Sequence, residues 1–199
     1  MGPGCAVASW HVRYGRAVTD PQPWQLRNRR LAWGNQWYRV LHDEVELPDG
    51  SVIDYYLSER PHVAIVFAVT DDDQVVLVRQ YRHGSGQIML ELPGGTFVDG
   101  ESPIGAAERE LREETGYWCE NLTAAGTFFD DASRNTNAVH VFFGRGARVV
   151  GPPVLDAVEA ASGLETLLVR SADVPGLIES GAVNGQISVA AMYSAMRLL

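Results

Sequence analysis

Apolar residues follow two rhythms along this chain, and the alternation between them predicts the order of its elements. His62-Val63-Ala64-Ile65-Val66-Phe67-Ala68-Val69 is a nearly unbroken apolar run, the pattern of a strand covered on both faces. Asp71-Asp72-Asp73 reads as a solvated turn, and Val75-Val76-Leu77-Val78 as the next strand, leading into Arg79-Gln80-Tyr81-Arg82. Upstream, Trp37-Tyr38-Arg39-Val40-Leu41 and Val45-Glu46-Leu47 carry the β-branched and aromatic bias of strands. Pro48-Asp49-Gly50 turns the chain into a return strand, Val52-Ile53-Asp54-Tyr55-Tyr56. Residues 1–23 are rich in Gly, Pro and small side chains and read as an arm.

The rhythm changes to a helical one after Ser102. That residue suits an N-cap, Pro103 the first helical position and Gly116 the C-terminal cap. Ile104, Ala107 and Leu111 predict the core-facing arc of this helix. Strand-like segments follow at 126–129, 138–143 and 164–169, then a short helix at 174–180. A last helix is predicted over 187–199, with Val189, Met192, Met196 and Leu199 near one face. Strands interleaved with helices predict an α/β fold whose sheet is covered by helices on both sides.

Composition narrows the function classes. The 199 residues suffice for one well-buried core with an added subdomain. A net charge of −9 without a basic stripe argues against a nucleic-acid backbone as partner. An acidic chain can still take a phosphorylated small molecule if a metal and a few arginines reverse the potential locally. Two cysteines, Cys5 and Cys119, form no disulfide framework and read as free thiols in a reducing compartment. No apolar stretch reaches membrane-spanning length, and the amino terminus does not have the pattern of a signal peptide. These features together predict a cytoplasmic protein with no membrane partner.

The densest chemistry lies in Gly95-Thr96-Phe97-Val98-Asp99-Gly100-Glu101 and the helix beyond it. Glu110, Glu113 and Glu114 stand at i, i+3 and i+4, one side of a helix. Like charges that close repel, and a divalent cation is the simplest agent that would hold them together. Gly95, Glu101 and the run Arg109-Glu110-Leu111-Arg112-Glu113-Glu114-Thr115-Gly116 resemble the Nudix box, with Tyr117 where the family favours an aliphatic residue. The resemblance implies a Nudix fold, an α/β/α sandwich with a mixed central sheet, here with an N-terminal β-subdomain. It implies Mg²⁺, with Mn²⁺ as an alternative, held by Glu110, Glu114 and Glu113 with the carbonyl of Gly94. Glu113 and Glu114 are the implied catalytic carboxylates, and Glu101 with Arg109 the structural pair.

Glu91-Leu92-Pro93-Gly94-Gly95, preceded by Arg79-Gln80-Tyr81-Arg82, is similar to the branch of the family that cleaves ADP-ribose and nucleotide sugars. That similarity implies an arm and β-subdomain over 1–59 that supports a homodimer, and a hydrolase domain over 60–199. It also implies a further glutamate after the box, Glu159 or Glu165. Glu159 is the better placed, because Asp156-Ala157-Val158-Glu159 reads as a loop while Glu165 sits in a strand. Arg79 and Arg82 are candidate phosphate contacts or surface ion-pair partners. Arg134 could face a phosphate or belong to a polar turn. Trp37, with Trp33 and Tyr38, could face a base, or could pack in a core or dimer interface. His140 reads as a sheet-face histidine. ADP-ribose hydrolases of this branch carry a proline beyond the box, where this chain has Asp131-Ala132-Ser133. The implied substrate is therefore a nucleoside diphosphate derivative, ADP-ribose or a related sugar. A dinucleotide, NADH, a modified triphosphate or a non-catalytic sensor of nucleotide sugars are the alternatives.

Overall fold

The computed structural model describes residues 20–36 and 38–199. A three-stranded antiparallel sheet comes first, β1 (Gln25–Gly34), β2 (Arg39–Glu46) and β3 (Val52–Glu59). Sequence reading anticipates β2 and β3 but not β1, whose side chains are exposed along its whole length and show no core-facing alternation. Trp37 lies outside the described residues.

The second sheet is mixed. β4 (Val63–Thr70) runs parallel to β10 (Val139–Val149) and turns at the three aspartates into antiparallel β5 (Gln74–Arg82). β4 and β5 share a register position only at Val69 and Val75, and each then takes its own partner. β5 pairs with β6 (Gln87–Glu91), and β4 with β7 (Gly94–Thr96). β11 (Glu165–Arg170) extends the sheet beyond β5, while β8 (Tyr117–Trp118) and β9 (Leu122–Phe128) pair with β10.

Period-two alternation in β4 divides the core into two layers. Ala64, Val66 and Ala68 face α1 (Pro103–Thr115), packing on its Ala106, Ala107 and Leu111. Ile65, Phe67 and Val69 face the other way, onto α3 (Val174–Glu179) and α4 (Gln186–Met196) through Val174, Ala191, Met192 and Ala195. The result is the expected α/β/α sandwich. The alanines on β4 and α1 leave little side-chain bulk between them, so the helix lies close to the sheet.

The ends of α1 obey the capping signals in the sequence. The Ser102 hydroxyl accepts from the Gly105 N–H, and Gly116 closes the helix at φ 74° with its N–H donating to the Arg112 carbonyl. Two readings need correction. Ile104 is 41% exposed, and the buried arc is instead Ala106, Ala107, Glu110, Leu111, Glu114 and Thr115. The segment around Glu159 is not a loop but a short helix, α2 (Ala157–Ala161), started by a capping box between Asp156 and Glu159.

The two ends of α1 should respond differently to substitution. Ser102→Ala should cost about 1 kcal/mol of stability in urea unfolding, the usual loss for an N-cap. Gly116→Ala should cost more than that, because a Cβ there would stand 2.2 Å from the Gly151 carbonyl oxygen at a left-handed φ.

Candidate metal and catalytic centre

The buried arc of α1 carries Glu110 and Glu114 into the gap beside β7, one turn apart on the same stripe as Ala107 and Leu111. Glu114 is 3% exposed and Glu110 7%. The Gly94 N–H donates to Glu114 Oε2 at 2.8 Å. Gly95 passes so close to the second carboxylate that a Cβ would stand 2.5 Å from Glu110 Oε1. Glycine is required at both positions for different reasons: a Cβ on Gly95 would enter the Glu110 carboxylate, and one on Gly94, at φ 156°, would stand 2.2 Å from the Ala64 carbonyl oxygen of β4.

Glu159 completes the group from a distant part of the chain. The segment before α2 is strapped to the end of α1: Val150 N–H donates to the Gly116 carbonyl and Val154 N–H to that of Glu113. That strap brings Glu159 over the helix, and carboxylate oxygens of Glu110, Glu114 and Glu159 all lie within 4.8 Å of one another. One Glu159 oxygen, Oε2, accepts from the Asp156 N–H at 2.7 Å, which fixes the carboxylate through the capping box.

Burial pushes the Glu114 carboxyl up to about 8, opposed by the Gly94 N–H and reinforced by Glu110 and Glu159. Burial also raises Glu110, against the pull of Arg109. Two desolvated carboxylates beside a third are stable as anions only with a counter-charge. All donor atoms are carboxylate oxygens, the ligand type that suits Mg²⁺ or Mn²⁺. The residues present therefore fit a divalent cation.

Arg109 organises the opposite wall. Its Nε and Nη2 donate to the two oxygens of Glu101, each at 2.9 Å, and Nη2 also reaches the Thr96 carbonyl at 2.9 Å. Nη1 donates to Glu110 at 2.8 Å and Glu113 at 3.1 Å. Glu101 in turn accepts from the Val98 N–H at 3.1 Å, and the Arg109 guanidinium holds its carboxyl below the usual range. Glu113 thus stands apart from the cluster: it is half-exposed and turned to Arg109, and only Glu110 and Glu114 share the buried face.

A cavity of about 620 Å³ opens over these groups, lined among others by Arg82, Gly94, Glu110, Glu114 and Glu159. Arg82 donates through Nε to Glu91 Oε2 at 2.8 Å at the cavity wall. The other sequence candidates lie elsewhere. Arg79 pairs with Glu165 at 2.7 Å across β5 and β11. Arg134 sits beside Asp54, Tyr55 and Tyr56 of β3 in a separate cleft. His140 is half-buried against His62 and Phe97, where burial and the His62 ring lower its pKa. Glu91, the partner of Arg82, drew no attention in the sequence as a charged group. The β5–β6 register sets Glu91 opposite Val78 and Arg82 opposite Gln87, so the contact depends on the reach of the Arg82 side chain and no spacing in the sequence announces it.

Comparison with known proteins accords with this geometry. The family profile described as NUDIX domain matches residues 59–180, and the chain belongs to that family. An ADP-ribose pyrophosphatase of Bacillus subtilis is 36% identical over 100 residues, covering 50% of this chain and 54% of that protein. The chain therefore matches only about half the length of that relative. A Streptomyces rubellomurinus protein, CMP-5'-(N-acetyl-N-hydroxy-3-aminopropyl)phosphonate hydrolase, is 28% identical over 158 residues, covering 79% of this chain and 75% of its own. A solved structure described as a crystal structure of ADP compounds hydrolase superposes with a TM-score of 0.76 at 22% identity, covering 89% of this chain and 94% of the other. It shares the fold.

The raised Glu114 carboxyl sets a pH dependence in the metal-free protein. In the unfolded chain this group ionises near its ordinary 4.5, and in the folded protein near 8. Its contribution to stability is full below the lower value and is lost as pH rises to the upper one. Urea midpoints should thus fall more steeply between about pH 5 and pH 8 in the wild type than in Glu114→Gln. Equal slopes in the two proteins would show that burial does not perturb this carboxyl.

Proposed function

We propose that the protein is a Mg²⁺-dependent pyrophosphatase that cleaves ADP-ribose or a related nucleoside diphosphate sugar into a nucleoside monophosphate and a sugar phosphate. The observation that carries this reading is the convergence of Glu110, Glu114 and Glu159 in one open cavity within a NUDIX domain. The relatives named for ADP-ribose hydrolysis, such as that of Bacillus subtilis, support the choice of substrate class. The Streptomyces relative acts on a CMP-linked phosphonate, so the same fold accommodates other leaving groups.

When bound, the cation neutralises phosphate oxygens and lowers the pKa of water, as divalent ions do in phosphoryl transfer. Glu110 and Glu114 would hold it, with Gly94 beside them, and Glu113, turned to Arg109, would assist. Water attacks one phosphorus in line with the bridging oxygen; the new P–O bond forms as the bridging P–O bond breaks. Glu159 is the proposed base: the oxygen not engaged by the Asp156 N–H takes the water proton, and the leaving phosphate departs as an anion. Arg82 is the proposed diphosphate contact, because its guanidinium lines the same cavity. Arg79, Arg134 and Trp37 remain proposed contacts for more distant parts of the substrate, with Arg79 and Arg134 each facing a different surface in one protomer.

We also propose a homodimer built through residues 1–59, with 60–199 as the hydrolase domain. Leu26, Leu31 and Trp33 of β1 are each more than half exposed, apolar surface that a second copy of the chain would cover. Among the described residues no helix is long and apolar enough to cross a membrane. The buried free thiol of Cys119 suits a cytoplasmic setting.

Release of monophosphate from a panel of nucleoside diphosphate derivatives, with Mg²⁺ and with Mn²⁺, tests the activity. Glu114→Gln should lower turnover by several orders of magnitude while the protein remains folded; full activity in that variant would sink the assignment of the metal site. For the dimer, light scattering should give twice the 21.8 kDa chain mass, and Trp33→Asp should shift the mass toward the monomer.

A further inference from the structure

The short helix that carries Glu159 has little of its own to hold it in place. None of the five residues of α2 is buried, and Val158 is 75% exposed. A helix this short is unstable alone, so the contacts at its two ends fix where it lies. The leading end is tied to α1 by the Val154 N–H and ordered by the capping box at Asp156. The trailing end is tied to β5. There the Tyr81 N–H donates to the Ser162 carbonyl at 3.0 Å, just beyond the last pair of the β5–β11 ladder, Arg79 with Glu165.

Beside that bond stands Gln80, which is 4% exposed and lines the catalytic cavity. The two ends of its amide have different partners. Nε2 donates to Glu91 Oε2 at 3.4 Å, and Oε1 accepts from the Ser162 hydroxyl at 3.3 Å. A carboxylate paired with arginine only accepts, so the amide turns its N–H groups to Glu91 and leaves its carbonyl oxygen for Ser162. Glu91 is itself fixed by Arg82, whose Nε donates to the same Oε2 at 2.8 Å. The Ser162 hydroxyl also lies 2.7 Å from the Glu159 carbonyl, so its single proton is shared between that carbonyl and the amide. Both amide contacts are long and individually weak. Their weight comes from burial: Ser162 is the only partner of Gln80 Oε1 among the described residues, and an acceptor shut away from water is costly to leave unmet.

We infer that Gln80 and Ser162 are positioning residues for Glu159. The buried amide, oriented by Glu91, holds the trailing end of α2 against β5 and keeps the Glu159 carboxylate beside Glu110 and Glu114. The capping box fixes that carboxylate relative to its own helix, and the Gln80–Ser162 contact fixes the helix relative to the sheet. Both side chains act through Glu159 rather than on the substrate. The catalytic use of this arrangement rests on the reading of Glu159 as the base.

Turnover and amide exchange together test the inference. Ser162→Ala and Gln80→Leu should each lower kcat roughly ten- to hundredfold with KM nearly unchanged, since a displacement on the order of 1 Å has that effect. Ser162→Thr, which keeps the hydroxyl, should stay within about threefold of the wild type. In a Glu159→Gln background neither substitution should lower turnover further by more than about twofold. A change that merely loosened the fold would lower turnover by the same factor in both backgrounds, and that result overturns the inference. Separately from turnover, amide exchange in the metal-free full chain should quicken at least about threefold across residues 157–163 in both variants, with α1 and β4 unchanged. Unchanged exchange there overturns the inference, as does wild-type kcat in both variants where Glu159→Gln is itself impaired. Full activity in Glu159→Gln, with faster exchange in α2, supports the anchor and overturns only the reading of Glu159 as base.

Discussion

Arg109 donates to Glu101, to the Thr96 carbonyl, to Glu110 and to Glu113, and so ties the loop before α1 to the helix itself. β7 is already held by its pairing with β4 and by the Gly94 N–H on Glu114, and the guanidinium adds the tie at the Thr96 end. The pair with Glu101 is bidentate, the geometry in which arginine holds a carboxylate most firmly. The same side chain offsets part of the charge on Glu110, which burial otherwise disfavours. Structural and chemical roles therefore meet in one residue: it shapes the floor of the cavity and tempers the potential within it.

The sandwich supplies what Arg109 cannot. Small residues on β4 and α1 bring the helix close to the sheet, and the split between β4 and β5 makes room for β6 and β7 at that side. The buried stripe of α1 then has to pass from apolar contacts at Ala107 and Leu111 to the carboxylates at Glu110 and Glu114. Burying such groups opposes folding in the absence of a cation, so stability and cation binding are coupled through the same two side chains. On the far wall, the strap from Val150 and Val154 to the end of α1 delivers Glu159 with its capping box already formed. Preorganisation here comes from backbone hydrogen bonds rather than from the carboxylates, which repel one another.

Much of this was legible in the order of residues. The caps of α1, the doubly covered strand β4 and the turn at Asp71–Asp73 obey local rules, and local rules depend on neighbours in sequence. The exposed strand β1 was not legible, because a strand with no buried face lacks the alternation that announces one. Ile104 was misplaced for a related reason: hydrophobicity marks a helix face only when the sheet chooses that face, and here it chose the one bearing Glu110 and Glu114. The reading of residues 156–159 as loop failed because five helical residues are too few to show a period, although the Asp156–Glu159 capping pair was present in the sequence.

The sequence by itself determined which glutamates stand a turn apart on α1 and where that helix starts and stops, while the pairing of Glu101 with Arg109 was implied by the resemblance to the Nudix box. The first two follow from spacing along one helix and its flanking turns. Tertiary structure alone decided which glutamates are buried together. It turned Glu113 toward Arg109, paired Glu165 with Arg79 across the sheet, and brought Glu159 to Glu110 and Glu114 from the far side of β10. Such meetings join residues distant in sequence, and only strand register and layer packing bring them within reach of one ligand.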